Sequence, residues 1–521
     1  MFDLLIRNAQ VLDGTGAPAY LADVAVKDGK IAAVGKLSGE AAETVDAAGL
    51  TLAPGFIDVH GHSDFFMPLD PARASKLLQG VTTELCGQCG LGPAPVTEQN
   101  YSLYHKYLSQ QGIPMYPDDR TFTSFSAYLS RMEKTPAGIN LAYFIPHGTV
   151  RLAVIGFSHD APDDRQLAQM RELVEGAMQA GALGLSTGLA YAPGRFAATD
   201  ELAALTEPVG RYGGVYTSHL RDQGDQLEQS VQEAIDIARR GGARVNVSHH
   251  KAVGEQNFGK VRKTTQMLHE AGIPATHDVY PYAASSTMLI STLPMAFAQL
   301  EPQALADPGD LARLAFLLLQ GGSGDAAEAC GLDRLLIANA TKTPEAAGKT
   351  IRQIAQARGV SPFEAYAALL RENELGVQYI KFGMSESDVS YLMADELCMF
   401  GSDALYVPGM KVTHPRSIGT FPCMLRRAVR EEQSISLPEA VRKLTSLPAE
   451  VYGLAGKGRI AAGMDADLTL FDAAKITDHA TYTQPLLPNE GIRRVYLGGV
   501  CAVRDDQYTG AMAGKLLRRT R

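Results

Sequence analysis

The chain is poor in cysteine and has no long apolar run. Its six cysteines, at 86, 89, 330, 398, 423 and 501, are too sparse over 521 residues to form a disulfide framework. No stretch reaches the roughly 18 apolar residues that a membrane-spanning helix needs, so no membrane association is expected. Basic blocks are lacking too. Acidic residues outnumber basic ones, 57 to 48, for a net charge of -9, which argues against nucleic-acid binding. The one basic run, at 515–521, reads as a solvated terminus. The first seven residues lack the charged stretch followed by an apolar core that marks a secretory signal. A cytoplasmic protein with reduced thiols is expected. The sequence carries no signature of oligomeric state.

What is present is ordinary globular material, 45% hydrophobic and 20% charged, in a chain too long for one simple domain. The first fifty residues read as β, with strands at 2–8, 23–27 and 30–35 and turns at Asp13-Gly14-Thr15-Gly16 and Asp28-Gly29. The last sixty read likewise, with strands at 458–460, 466–471, 493–497 and 500–504. The two ends are expected to pair into one small β domain, 1–56 with 457–521. Between them, β-rich runs alternate with helical ones. Eight strands are expected, at 52–59, 81–85, 139–145, 182–186, 214–218, 244–248, 274–280 and 397–401. Helices are expected at 164–180 and 226–240; in the second, Leu227, Val231, Ala234, Ile235 and Ala238 share a face. Eight βα units predict an α/β fold, a (β/α)8 barrel over 57–456. The gap after the seventh strand is too long for one helix, so an insertion is expected over about 288–380. It contains the turn Gly321-Gly322-Ser323-Gly324-Asp325 and reads as a lid.

The strand ends carry the chemistry. The first strand runs into His60-Gly61-His62, whose imidazoles share one face by strand alternation. The fifth ends at His219, the sixth at His249-His250-Lys251 and the eighth at Asp403; Cys86-Gly87-Gln88-Cys89 follows the second. Barrel enzymes keep their reacting groups at these ends. Imidazole, carboxylate and thiolate together suit zinc. The Cys-x-x-Cys pair lacks the partner pair that a zinc ribbon needs and does not open a small redox fold, so one of its thiols is expected as a ligand. Gly90-Leu91-Gly92 and the 321–324 run are not nucleotide loops, because no Lys-Ser/Thr follows.

Several longer segments make the chain similar to the amidohydrolase superfamily and, within it, to the N-acyl-D-amino-acid deacylases (D-aminoacylases). They are Ala53-Pro54-Gly55-Phe56-Ile57-Asp58-Val59-His60-Gly61-His62, Gly80-Val81-Thr82-Thr83 through Cys89-Gly90, Gly184-Leu185-Ser186-Thr187-Gly188, and Ser218-His219-Leu220-Arg221-Asp222. Val247-Ser248-His249-His250-Lys251, Asp278-Val279-Tyr280-Pro281-Tyr282, Ser286-Thr287-Met288, Gly401-Ser402-Asp403, His414-Pro415-Arg416 and Gly463-Met464-Asp465-Ala466-Asp467-Leu468 complete the set. The likeness covers nearly the whole chain and is weakest over about 290–375.

The resemblance implies zinc-dependent hydrolysis of N-acyl-D-amino acids, with one or two ions. His60, His62, Cys89, His219, His249 and Asp403 become ligands, and Asp403 also serves as proton acceptor and donor. Cys86 becomes a bystander and His250 structural. Gln88 stands where the family has asparagine. The ion held by Cys89, His219 and His249 becomes the working one, and His60 and His62 serve a weaker position shared with Asp403. Lys251, Tyr280, Ser286 and Arg416 become anchors for the substrate carboxylate. Tyr191 and Met384 become apolar contacts. With Ala190 beside Tyr191, a partly apolar, enlarged pocket for neutral or hydrophobic side chains is expected. Alternatives are a hydantoinase- or dihydroorotase-like cyclic-amide hydrolase, a D-residue dipeptidase and a non-catalytic scaffold. The first is disfavoured because no barrel-strand lysine stands ready as a bridging ligand.

Overall fold

Eight parallel strands form the centre of the molecule in a computed structural model that describes residues 1–110, 122–293, 335–406 and 408–520, with single positions 307, 309, 310 and 331. In chain order they are Phe56–Asp58, Val81–Cys86, Asn140–Tyr143 continued by Ile145–Pro146, Gly184–Gly188, Val215–His219, Arg244–Val247, Ala275–Val279 and Cys398–Phe400. Each pairs in parallel with the next. The eighth returns to the first through Val59 N to Phe400 O at 3.3 Å and Asp403 N to His60 O at 2.8 Å. The result is a barrel of the TIM type. Its strands are buried on both faces, as in Val81–Cys86, where every residue is buried, so they read as short apolar runs with little alternation.

The helices around it follow their local signals. Asp163 accepts from Gln166 N while the Gln166 side chain accepts from Asp163 N, capping Asp164–Gln179. The helix Leu227–Gly241 buries the stripe of Leu227, Val231, Ala234, Ile235 and Ala238 and stops at Gly242, which has φ 68°. Each large aliphatic side chain so buried contributes about 1.5–3 kcal/mol.

Both chain ends enter one nine-stranded sheet. Thr51–Pro54 pairs antiparallel with Leu468–Phe471, and outward from there the sheet runs through Ile492–Leu497, Val500–Arg504 and Gln507–Tyr508 on one side, and Phe2–Val11, Tyr20–Lys27 and Lys30–Gly35 on the other. Ala41–Asp46 pairs in parallel with Phe2–Val11. Leu4, Ile6, Val24, Ile460 and Leu468 share its core.

Several sequence expectations shift. The run expected at 52–59 breaks at Gly55, so Thr51–Pro54 joins the large sheet and Phe56–Asp58 enters the barrel. A Cβ at Gly55 would fall 2.1 Å from Thr82 Oγ1, so the crossing needs glycine. No strand forms at 458–460, because Gly458 has φ 80°; Ile460 instead donates its N–H to Asp13 O at 3.0 Å. Ala41–Asp46 escaped notice because most of its residues are not buried. The C-terminal run is not a free solvated tail. Lys515 O accepts from Leu141 N at 2.9 Å, and Arg519 N donates to Gly181 O at 3.0 Å, which ties 515–520 across the barrel.

After the seventh barrel strand, Ala284–Met288, Leu335–Ala340 and Val377–Phe382 form an antiparallel sheet. It packs with the helices Ile351–Arg358 and Pro362–Glu372 around a core of its own, including Leu289, Ile337, Ile351, Leu369 and Val377. The turn expected at 321–325 lies outside the described residues. Among the described residues, no helix is long and apolar enough to cross a membrane.

Candidate metal centre and active site

Two groups of ligand-type side chains meet where the strands end. His60, His62, Cys89 and Asp403 form one, and Cys89, His219 and His249 the other; within each, the ligand atoms lie within 4.8 Å of one another. Cys89 belongs to both. Its Sγ is 3.2 Å from His60 Nε2, 3.6 Å from His219 Nδ1 and 3.5 Å from His249 Nε2. Asp403 Oδ1 is 3.2 Å from His62 Nε2 and 3.7 Å from His60 Nε2. All six residues are buried.

Backbone strain concentrates here. Cys89, His249 and Asp403 all have positive φ, at 55°, 36° and 49°. Non-glycine residues held there cost about 1–3 kcal/mol each, and such strain clusters at functional sites. Neighbouring glycines make room: a Cβ at Gly188 would fall 2.0 Å from Cys89 O, and one at Gly401 2.3 Å from the His60 Cβ.

The electrostatics suit a cation. Burial resists ionisation of Cys89, yet His60 and His249 hold its thiol well below the usual thiol range. Burial likewise opposes the Asp403 charge, and Arg416, with Nη1 2.8 Å from Asp403 Oδ2, holds that carboxyl well below the carboxylate range. Against its own burial, His62 is raised to about 9 by Asp403 and Cys89. His249 is pushed down to about 3 by burial, Lys251 and His219. Four imidazoles, a thiolate and a carboxylate turned onto common space, with the Nδ1 atoms of His60 and His249 backed by polar groups, fit a divalent metal of zinc's preferences.

Those backing groups are residues to which sequence reasoning gave no role. Asp278 Oδ1 lies 3.2 Å from His60 Nδ1 and accepts from His249 N at 2.8 Å. The Gln223 amide is 3.1 Å from His249 Nδ1. With His249 Nε2 turned to Cys89, the amide oxygen is the group suited to accept the Nδ1 proton. An acid two positions before Tyr280 on a barrel strand was the available signal for Asp278; Gln223 offered none.

The other expected residues divide. Lys251, Tyr280, Ser286 and Tyr191 line a cavity of about 460 Å³ beside His62, Cys89, His219, His249 and Asp403. Burial lowers Lys251 to about 8, Asp403 opposing and Arg416 adding to the shift. Tyr191 OH is 2.9 Å from Thr287 Oγ1, linking the barrel to the inserted sheet. Arg416 does not line the cavity. It is buried with Asp403, donates to Ser286 O at 3.0 Å, and lies 4.6 Å from the Tyr280 ring centre. Met384 is behind the wall, 4.0 Å from the Tyr280 hydroxyl. Cys86 is buried away from both groups, its thiol raised by burial. His250 turns aside to Thr264 Oγ1 at 2.8 Å. Gln88 donates to Val59 O at 2.7 Å, bracing the residue before His60. The wall is also less apolar than expected. Gln223, Gln256, Asn257, Ser285, Thr287 and Lys381 face the cavity, against Leu91, Val253, Met288 and Leu405.

Known proteins share this architecture. The amidohydrolase family matches residues 43–279 and 325–503. A D-aminoacylase of Alcaligenes xylosoxydans xylosoxydans is 35% identical over 522 residues, covering 100% of this chain and 98% of its own. The crystal structure of an N-acyl-D-glutamate deacylase from Bordetella bronchiseptica, complexed with zinc and a phosphonate mimic of the tetrahedral intermediate, superposes with a TM-score of 0.85. It is 33% identical, with 99% of each chain covered. A D-aminoacylase structure concerned with a binuclear metal centre, one-metal activation and second-metal attenuation gives 0.83 at 33% identity, covering 100% of each chain.

Proposed function

The chain belongs to the amidohydrolase family, among the D-aminoacylases, and from that premise we propose that it hydrolyses the amide bond of N-acyl-D-amino acids to a D-amino acid and a carboxylate. One observation carries the reading: two ligand groups share the Cys89 thiolate on the floor of a polar cavity, with Asp403 in reach of both His60 and His62. Zinc, as one or two ions, suits His60, His62, Cys89 and Asp403 on one side and Cys89, His219 and His249 on the other. When bound it supplies Lewis acidity that eases ionisation of water and polarises the amide carbonyl.

The chain's own groups do the rest. Asp403 takes the proton of the attacking water and returns it to the departing nitrogen, because an amide anion is a very poor leaving group. Arg416 keeps Asp403 ionised and correctly turned between catalytic cycles. Lys251, Tyr280 and Ser286 hold the substrate carboxylate, and Arg416 backs them from beneath Tyr280. Tyr191, fixed by Thr287, contacts the substrate from the cavity wall, and Met384 packs behind Tyr280. The polar wall favours side chains that take hydrogen bonds over large apolar ones. The same reading makes 1–56 with 457–521 a small β domain and 57–456 the catalytic barrel, with the insertion over about 288–380. It places the enzyme in the cytoplasm, acting on a small molecule and not on nucleic acid.

The test is a panel of N-acetyl-D- and N-acetyl-L-leucine, -methionine, -glutamine and -glutamate with the zinc-loaded protein. Turnover of D-isomers only, best for the polar side chains, is expected. Equal or faster turnover of L-isomers refutes the chirality. Opening of hydantoin or dihydroorotate rings without linear-amide hydrolysis selects the cyclic-amide reading.

A further inference from the structure

Beneath the His60–His62 segment is a set of fully buried charges that the mechanism does not use. Lys76, on the short helix Ala74–Leu77, has 0% side-chain exposure, as do Asp58 and Glu84. Its Nζ lies 2.5 Å from Asp58 Oδ2, 2.6 Å from Ser402 Oγ and 3.3 Å from Glu84 Oε1. The other Asp58 oxygen accepts two backbone N–H groups, from His60 at 3.1 Å and Ser402 at 2.8 Å. One of these begins the segment that carries both histidines; the other immediately precedes Asp403. Glu84 closes the set: it accepts from Ser63 Oγ at 2.7 Å and occupies the space where a Cβ on Gly61 would be.

A buried ion pair is not kept for stability alone. Desolvation cancels most of its attraction, and well-packed apolar residues often do as well. What this one supplies is registry. With Oδ2 held by Lys76, Asp58 has one orientation in which Oδ1 spans the first and eighth barrel strands. We infer that Lys76 is a positioning residue, which through Asp58 and Ser402 sets the gap between the His60–His62 pair and Asp403. This rests on the proposed metal-dependent function, but names a residue outside both ligand groups. The Cys89, His219 and His249 group hangs from the second, fifth and sixth strands; Lys76 touches only the second of these, through Glu84 at 3.3 Å, whereas through Asp58 and Ser402 it reaches the backbone on both sides of the gap between the His60–His62 pair and Asp403, so the effect falls first on that gap. Partners of metal ligands typically change affinity or activity by 10–100-fold when removed.

The experiment compares wild type, Lys76→Met and the charge-balanced Lys76→Met/Glu84→Gln, which keeps a foldable protein available if the single variant does not fold. Cobalt is titrated into each metal-free protein, and the thiolate-to-cobalt absorption of Cys89 is recorded; kcat and KM are measured on the zinc-loaded forms. The expected result is a retained Cys89 band with kcat lowered ~100-fold and KM nearly unchanged. Unchanged kcat, or loss of the Cys89 band together with activity, overturns the positioning role. A wild-type protein that shows no Cys89–cobalt band overturns the functional reading on which the inference rests.

Discussion

Asp403 is held by three neighbours of different kinds: Arg416 at 2.8 Å, His62 at 3.2 Å and, through its backbone N–H, His60 O at 2.8 Å. Its φ of 49° is maintained against local preference, so the geometry is imposed by the surrounding fold. Asp403→Asn preserves shape and removes the proton acceptor. The expected outcome is a kcat lowered by roughly 10³-fold or more, with zinc content per chain largely retained; near-normal turnover would take Asp403 out of the proton-transfer role. The gathering of histidines and an aspartate at strand ends was legible, because such positions are read by counting residues; that Cys89 and not Cys86 joins them was implied by the family resemblance alone. The contacts of Arg416 and Met384 were not: sequence assigns a residue to a motif but cannot say that the Arg416 guanidinium is spent on Asp403, or that Met384 stands behind Tyr280.

At the scale of elements, the loop after the first strand and the lower ends of the last two strands illustrate different constraints. Gly61 separates two histidines because the Glu84 carboxylate fills its side-chain space, with Oε1 1.8 Å from where a Cβ would sit. Overpacking a rigid site typically costs 1–3 kcal/mol, so Gly61→Ala is expected to lower the thermal midpoint and the bound zinc together; a variant with full zinc and normal stability would show that Glu84 yields. Elsewhere, Asp395 lies 3.1 Å from His277 Nε2 on the seventh strand, 2.7 Å from His269 Nε2 and accepts from Leu397 N. Burial alone would raise its carboxyl, but His277 and His269 hold it well below the usual range. A depressed carboxyl stabilises the fold above the unfolded value near about 4 and loses that contribution as pH falls through and below it. Asp395→Asn is therefore expected to be less stable than wild type at pH 7, with the difference shrinking towards pH 3. Chemical denaturation at both pH values measures it, and a pH-independent difference would remove the ionic explanation.

For the whole molecule, the buried thiolate and carboxylate predict that folding and metal binding are coupled. A ligand present at about 1,000 times its dissociation constant adds ~4 kcal/mol to stability. Stripping zinc with dipicolinate is expected to lower the calorimetric midpoint, and restoring zinc to recover it. Because protons compete for His62, held at about 9 in the metal-free protein, stripping becomes easier as pH falls from 8 to 6. A midpoint indifferent to chelator would mean that the site holds no structural metal.

The sequence by itself determined the periodicities and the strand-end chemistry: eight βα units, β segments at both ends, and the positions of His60, His62, Cys89, His219, His249 and Asp403. Those are local properties, set by side-chain alternation, helical spacing and residue type. Only the tertiary structure decided what depends on distant segments meeting. Gly55 splits one apolar run between two sheets because Thr82 crosses there, and the basic C-terminal run lies across the barrel because Leu141 and Gly181 offer it backbone partners. Cys89 serves two ligand groups, and Lys76 holds Asp58, for the same reason: closing the barrel brings together side chains that lie far apart along the chain.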